Sequence, residues 1–169
     1  SPYPMLSVFM VFIVFQGCDF LKYGDFIGTK NPKAKDYEVW ALDQGADLSR
    51  IHIYNSNLDE TAVIDFPGLF SDGEISQEFT MPHMIGFNST HEYAAVASPA
   101  SGNVAIIRAE DRKVIEVINT GAGAHMASFT PDDKSIWVAN IGTVTFTEIT
   151  ADLINESFAI GRELDLTND

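Results

Sequence analysis

The chain has 169 residues, 46% of them hydrophobic and 20% charged, a balance that suits a folded domain with a sizeable core. Its 24 acidic residues against 10 basic ones leave a net charge of −14. That excludes a nucleic-acid surface, because phosphate binding needs clustered Lys and Arg, and the single cysteine, Cys18, excludes an internal disulfide or a Cys-rich metal site. The first predicted element is an apolar run from Leu6 to Phe15, closed by Gln16-Gly17-Cys18. It is shorter than the roughly 20 residues that span a bilayer, and it suits the core of a secretory signal or a buried strand.

A small residue followed by cysteine, Gly17-Cys18, resembles the lipobox of bacterial lipoproteins, although Phe15 stands where Leu is usual and no Lys or Arg precedes the run. In that family the cysteine is lipidated and becomes the new N-terminus. The resemblance therefore implies lipidation of Cys18, a leader over residues 1–18, and a protein anchored in the cell envelope, periplasmic or extracellular. An uncleaved or differently cleaved signal fits the same residues. Asp19 after the lipidated position resembles an inner-membrane retention signal. Residues 19–36, "DFLKYGDFIGTKNPKAKD", mix charge, Gly and Pro without apolar period and read as a tether.

From residue 37 onward the sequence repeats itself. "HMIGF" at 83–87 matches "HMASF" at 125–129, and "EYAAVAS" at 92–98 matches "KSIWVAN" at 134–140. "GNVAIIRAEDRKVIEVINTG" is followed, more loosely, by "GTVTFTEITADLINESFAIG". An earlier partial copy runs "YEVWALDQ", "SRIHIYN", "ETAVIDF", without its leading strand. Each unit offers four short strands rich in Val, Ile, Phe, Tyr and Thr, broken by turn residues. Trp40, Ala95 and Trp137 fall at matching positions, which predicts that both indoles fill space between units. Four strands per period of about 42 residues is the signature of a β-propeller blade, whose two faces are covered only by neighbouring blades. The insert "PGLFSDGEISQEFTM" at 67–81 is expected as a surface loop or an excursion on one face.

A small residue or Pro, then His, an apolar strand, a Pro-Asp turn and an aromatic-Val-Ala-Asn strand resembles the YVTN-type β-propeller repeat. The best portion is Ala124 to Asn140, where "FTPDDKSIWVAN" stands for the turn and signature strand. Asp133 replaces the usual Gly, "NSTH" replaces the turn of the preceding unit, and "VASPAS" lacks the Asn. The resemblance implies an all-β chain, with residues 37–169 as about three blades of a larger, seven-bladed propeller, since closed rings hold roughly four to eight. The family's propellers are similar to that of nitrous oxide reductase, where histidines near the channel bind a copper cluster.

His83 and His125 each lead the first strand of a unit. Carried over residue by residue, the resemblance makes them candidate ligands for copper or zinc, for which neutral imidazole is a good donor. A structural role, with each ring hydrogen-bonded to the neighbouring blade, stays open beside it. Met84 and Met126 follow the histidines as soft-ligand or core-filling positions, and His52 and His91 lie out of register with the pair. Gly121 and Gly123 mark a tight turn rather than a phosphate loop, because no helix follows. Asn88-Ser89-Thr90 and Asn155-Glu156-Ser157 fit the glycosylation pattern. Spacing assigns no catalytic residue. Two functions follow: a binding or scaffold module for a protein, glycan or small ligand, held to a membrane by its lipid, or a redox or metal-binding propeller.

Overall fold

Runs rich in β-branched and small apolar residues, each closed by turn residues, form strands here and pair with their chain neighbours. A computed structural model of the protein describes residues 10–14, 37–45 and 48–167. Within them the chain is nearly all β, folded as three four-stranded antiparallel sheets in sequence order. Blade 1 comprises β1 (Met10–Val14), β2 (Glu38–Asp43), β3 (Arg50–Tyr54) and β4 (Glu60–Asp65). A short helix, α1 (Phe66–Ser71), follows it. Blade 2 comprises β5 (Met84–Phe87), β6 (Tyr93–Ser98), β7 (Asn103–Arg108) and β8 (Lys113–Asn119). Blade 3 comprises β9 (Ala124–Phe129), β10 (Ser135–Asn140), β11 (Thr145–Asp152) and β12 (Ser157–Asp165).

Side chains alternate across each strand, so every blade has two faces to bury. Blade 2 buries both. Ala94, Val96, Ala105 and Ile107 face blade 1 and join Trp40, Leu42, Ile51, Ile53 and Ile64 in one core. Their chain neighbours Ala95, Ala97, Val104 and Ile106 face the other way, into a second core with Ala127, Ile136, Val138 and Ile149 of blade 3. Burying each large aliphatic side chain contributes about 1.5–3 kcal/mol, so these two cores dominate the stability. The small residues on β6 let the sheets come close. A Cβ added at Gly86 in β5 would sit 2.6 Å from the carbonyl oxygen of Ala127 in β9, so only glycine fits that approach.

Two expectations are met in altered form. The insert is only partly a surface loop: its Ile75 and Phe79 are at most 6% exposed and enter the first core, the ring of Phe79 lying 4.4 Å from that of Phe66 just before the insert. Trp40 fills the space between blades, edge-on to Phe87 at 5.4 Å. Trp137 does not. It lies half-buried on the outward face of blade 3, beneath the guanidinium of Arg162, 5.3 Å from its ring.

The first copy gains its leading strand from within the predicted leader. β1 pairs antiparallel with β2 from Met10↔Leu42 to Val14↔Glu38, taking in blade 1 the place that β5 and β9 take in theirs. Cys18 and the tether, residues 19–36, lie outside the described residues.

The last residue of each second strand ties down a backbone loop. Asn140, 2% exposed, donates to the carbonyl of Thr120 at 2.9 Å and to the hydroxyls of Thr145 and Thr147. Ser98 takes the same place in blade 2, donating to the carbonyl of Thr80. In blade 1 Asp43 accepts from the amide of Gly45 at 2.8 Å. "VASPAS" thus ties its loop with a hydroxyl where blade 3 uses Asn140.

The two other departures from the repeat compensate one another. Asp133 accepts from the amide of Ser89 at 2.9 Å, from its hydroxyl at 2.6 Å and from Asn88 Nδ2 at 3.3 Å. It sits at φ 57°, a left-handed conformation Asp tolerates better than most residues, and closes the turn that Pro131 opens, donating its amide to Thr130.

Candidate functional site

β5 and β9 are the strands through which blades 2 and 3 approach along their edges, and the two histidines stand at their starts. His83 immediately precedes β5 and is locked by its amide to the carbonyl of Ala97 at 2.9 Å. His125 is the second residue of β9. Their Nε2 atoms lie 3.0 Å apart, with ring centroids at 4.4 Å. The repeat therefore brings together the two residues that the sequence singled out.

A third residue, from blade 1, completes the row. Gln44, just beyond β2, places its side-chain nitrogen 2.9 Å from His83 Nδ1 and 3.4 Å from the carbonyl oxygen of His83. A carbonyl can only accept, so the amide nitrogen donates to both atoms. His83 Nδ1 thus carries a lone pair, its Nε2 carries the proton, and that proton points at Nε2 of His125. The proton of His125 is then on Nδ1. Three consecutive blades are linked by one directed chain, Gln44 to His83 to His125.

Both imidazoles are neutral in this arrangement. A second proton on either ring would set two N–H groups against each other. Burial, and then the charge His125 would carry, hold the pKa of His83 below its ordinary 6.5. As metal donors the pair is incomplete: among the described residues no third His, Cys, Asp or Glu joins them. Ligation through His83 Nε2 would also require its proton to leave or move to Nδ1, and the Gln44 amide to turn over. Gln44 was invisible to the repeat because its counterparts by position are Pro99 and Ile141, neither of which can donate from a side chain.

The other singled-out residues lie elsewhere. His52 contacts Glu60 at 2.5 Å and Asp43 at 3.9 Å on blade 1. His91 is a turn residue at φ 61°. Met84 is half-buried, whereas Met126 is 44% exposed and fills no core. Gly121 and Gly123 form the turn into β9, both at positive φ. Asn88 is 3% exposed with its side chain fully engaged, while Asn155 is exposed in the β11–β12 turn.

Sequence reading also missed a cleft of about 490 Å³ at the end of blade 2, between the insert and the β6–β7 turn. Phe70, Gln77, Glu78, Thr80, Ser101 and Asn119 are among its lining residues. Asn103 holds the two walls together, donating to the carbonyl of Glu78 at 2.7 Å and accepting from Asn119 at 2.8 Å. No local pattern announced it, because the insert belongs to no repeat.

No family model matches the sequence, and no curated protein matches it. Among solved structures the chain is similar to hydrazine synthase of Kuenenia stuttgartiensis, at 14% identity and TM-score 0.59, covering 77% of this chain and 33% of that one. It is similar to the WD40 repeats of RRP9 at 9% identity and TM-score 0.59, covering 78% and 37%. It is also similar to the β-propeller domain of Cps50 (Swd1) from Myceliophteria thermophila at 12% identity and TM-score 0.56, covering 78% and 43%. Likeness at these identities shows the fold, part of a β-propeller. The chain spans between a third and less than half of the length of these structures.

Proposed function

We propose that the chain is a binding or scaffold module built from YVTN-type β-propeller repeats and held in the cell envelope by a lipid on Cys18. One observation carries the binding role. The cleft beside the insert gathers side chains from three separate segments onto a rigid blade, and those of Gln77, Glu78 and Thr80 have no hydrogen-bond partner among the described residues. Polar groups left unspent around a concavity are what a ligand can use. The binding role is tested by hydrogen exchange of residues 76–80 and 101–119, with envelope extract divided into protein, glycan and small-molecule pools. One pool is expected to slow exchange there; no effect from any pool contradicts the role.

The anchor makes a demand on blade 1. Cleavage before Cys18 removes Met10–Val14 and strips the inner edge of β2, whereas a retained leader keeps the five pairs of β1. Mass spectrometry of the native N-terminus separates the outcomes. A diacylated Cys18 supports the anchor, and a chain still carrying residues 10–14 assigns them to the blade.

The competing reading is a copper or zinc propeller, favoured by the convergence of the His83 and His125 Nε2 atoms. Zinc sites use three or four protein ligands, so these two would need partners from water or further blades. Titration with copper and zinc decides: uptake abolished by His125→Ala supports it, and no uptake at neutral pH contradicts it.

A further inference from the structure

We infer that the cleft between the insert and the β6–β7 turn binds a neutral, polyhydroxylated ligand, a short saccharide. The inference rests on the binding role above and names its substrate class.

The lining decides the chemistry. Hydroxyls of Ser76 and Thr80 and the amide of Gln77 both donate and accept, as sugar hydroxyls do. The hydroxyl of Ser101, which donates to Ser98, can still accept, and the lining contains no Lys, Arg or His. An anionic ligand finds no counter-charge there and meets the field of a chain carrying −14. Glu78 is the single carboxylate in the lining, too few for a metal ion, which takes several oxygen ligands. It serves instead as an acceptor for hydroxyl donors, whose hydrogen bonds to a charged group are stronger than neutral ones.

The remaining feature is apolar. Phe70, the only aromatic residue in the lining, is 44% exposed at the end of α1. A sugar ring presents one face of C–H groups edged by hydroxyls, which suits an aromatic platform beside polar side chains. The size agrees: about 490 Å³ lies inside the ~300–1,000 Å³ range of small-ligand clefts. The walls are fixed in advance by Asn103 and by the hydroxyl of Ser98 on the carbonyl of Thr80, so little ordering opposes binding.

The test uses the whole 169-residue chain and three probes in saturation-transfer NMR: uncharged trisaccharides of glucose, mannose and N-acetylglucosamine, a lysine-rich peptide, and spermidine. At least one trisaccharide is expected to bind, with an affinity insensitive to salt. Phe70→Ala and Gln77→Ala should each weaken it about five- to tenfold, the loss of one contact. Both positions are at least partly exposed, and an unchanged β spectrum confirms that the variants fold. Saccharide binding untouched by both variants overturns the inference, as does the absence of any saccharide binding. Binding of spermidine or peptide alone, lost in Glu78→Gln and in high salt, overturns the saccharide class but leaves the binding role standing.

Discussion

Blades 2 and 3 share a repeat, a register and a pair of histidines, yet they are buried in opposite ways. In blade 2 the central strands β6 and β7 are buried at nearly every residue, because blade 1 covers one face and blade 3 the other. In blade 3 the strand β10 alternates buried and half-buried. Its outward face carries a cross-strand row of Met126, Ala139, Phe146 and Leu164, of which Met126, Phe146 and Leu164 are 44%, 38% and 54% exposed. In the corresponding row of blade 2, Met84, Ala97, Val104 and Ile118, the last three are buried against blade 3 and Met84 is half-buried. A blade's stability is therefore a property of its neighbours as much as of its own sequence.

The largest test of this contrast compares two core-type truncations. Ile106→Ala, at a position 0% exposed in blade 2, should cost about 2–5 kcal/mol in urea denaturation. Phe146→Ala, on the outward row of blade 3, should cost less than about 1 kcal/mol despite removing a larger side chain. Equal losses would break the contrast.

Next in size is the loop tie. Asn140→Ala removes one of the two donors on the carbonyl of Thr120, which keeps the Thr147 hydroxyl, and leaves the buried hydroxyl of Thr120 without its acceptor, an expected loss of about 1–3 kcal/mol. Asn140→Ser should recover part of it, since Ser98 does the same work in blade 2.

The compensation between blades 2 and 3 should be smaller. Asp133→Ala is expected to cost about 1 kcal/mol, and a double-mutant cycle with Ser89→Ala should show coupling, because the two bond directly at 2.6 Å. Purely additive losses would detach the one turn from the other.

How much of this was written in the sequence can be traced residue by residue. "YAAVAS", "NVAIIR" and "KSIWVAN" declare strands, but the alternation of Val104 and Ile106 reads as a half-buried one, whereas Ala105 and Ile107 are buried as well. The histidine pair was legible because two copies could be aligned. What stayed hidden had no counterpart to align. Gln44 stands where the other blades have Pro99 and Ile141, and β1 is separated from β2 by more than twenty residues of polar sequence. The insert hid its role because Ile75 and Phe79 enter the core without a period. Trp137 misled because, among the described residues, no sheet packs on the outward face of blade 3. Equivalent position gave the wrong burial there.

A fourth prediction concerns acid. His83 in the folded chain holds its proton more weakly than its ordinary 6.5, so the unfolded chain binds more protons as pH falls through that value. Stability therefore declines below about pH 6.5 and levels off once the folded histidine is also charged. His83→Gln should flatten this slope. Asp111 and Glu148, each held to about 2 by Arg108 and Arg162, lose their stabilisation as pH falls from the ordinary carboxylate range toward 2, so their effect sets in below the onset of the histidine's. A slope unchanged in the variant would remove His83 as its origin.

Native-state hydrogen exchange, read amide by amide, tests the central claim that blade 2 is clamped between two cores while blade 3 is covered on one face. The amides of β6 and β7 are expected to exchange only through global unfolding, and those of β12 through local opening orders of magnitude faster. Protection of β12 equal to that of β6, or local exchange within β6 and β7, would contradict it.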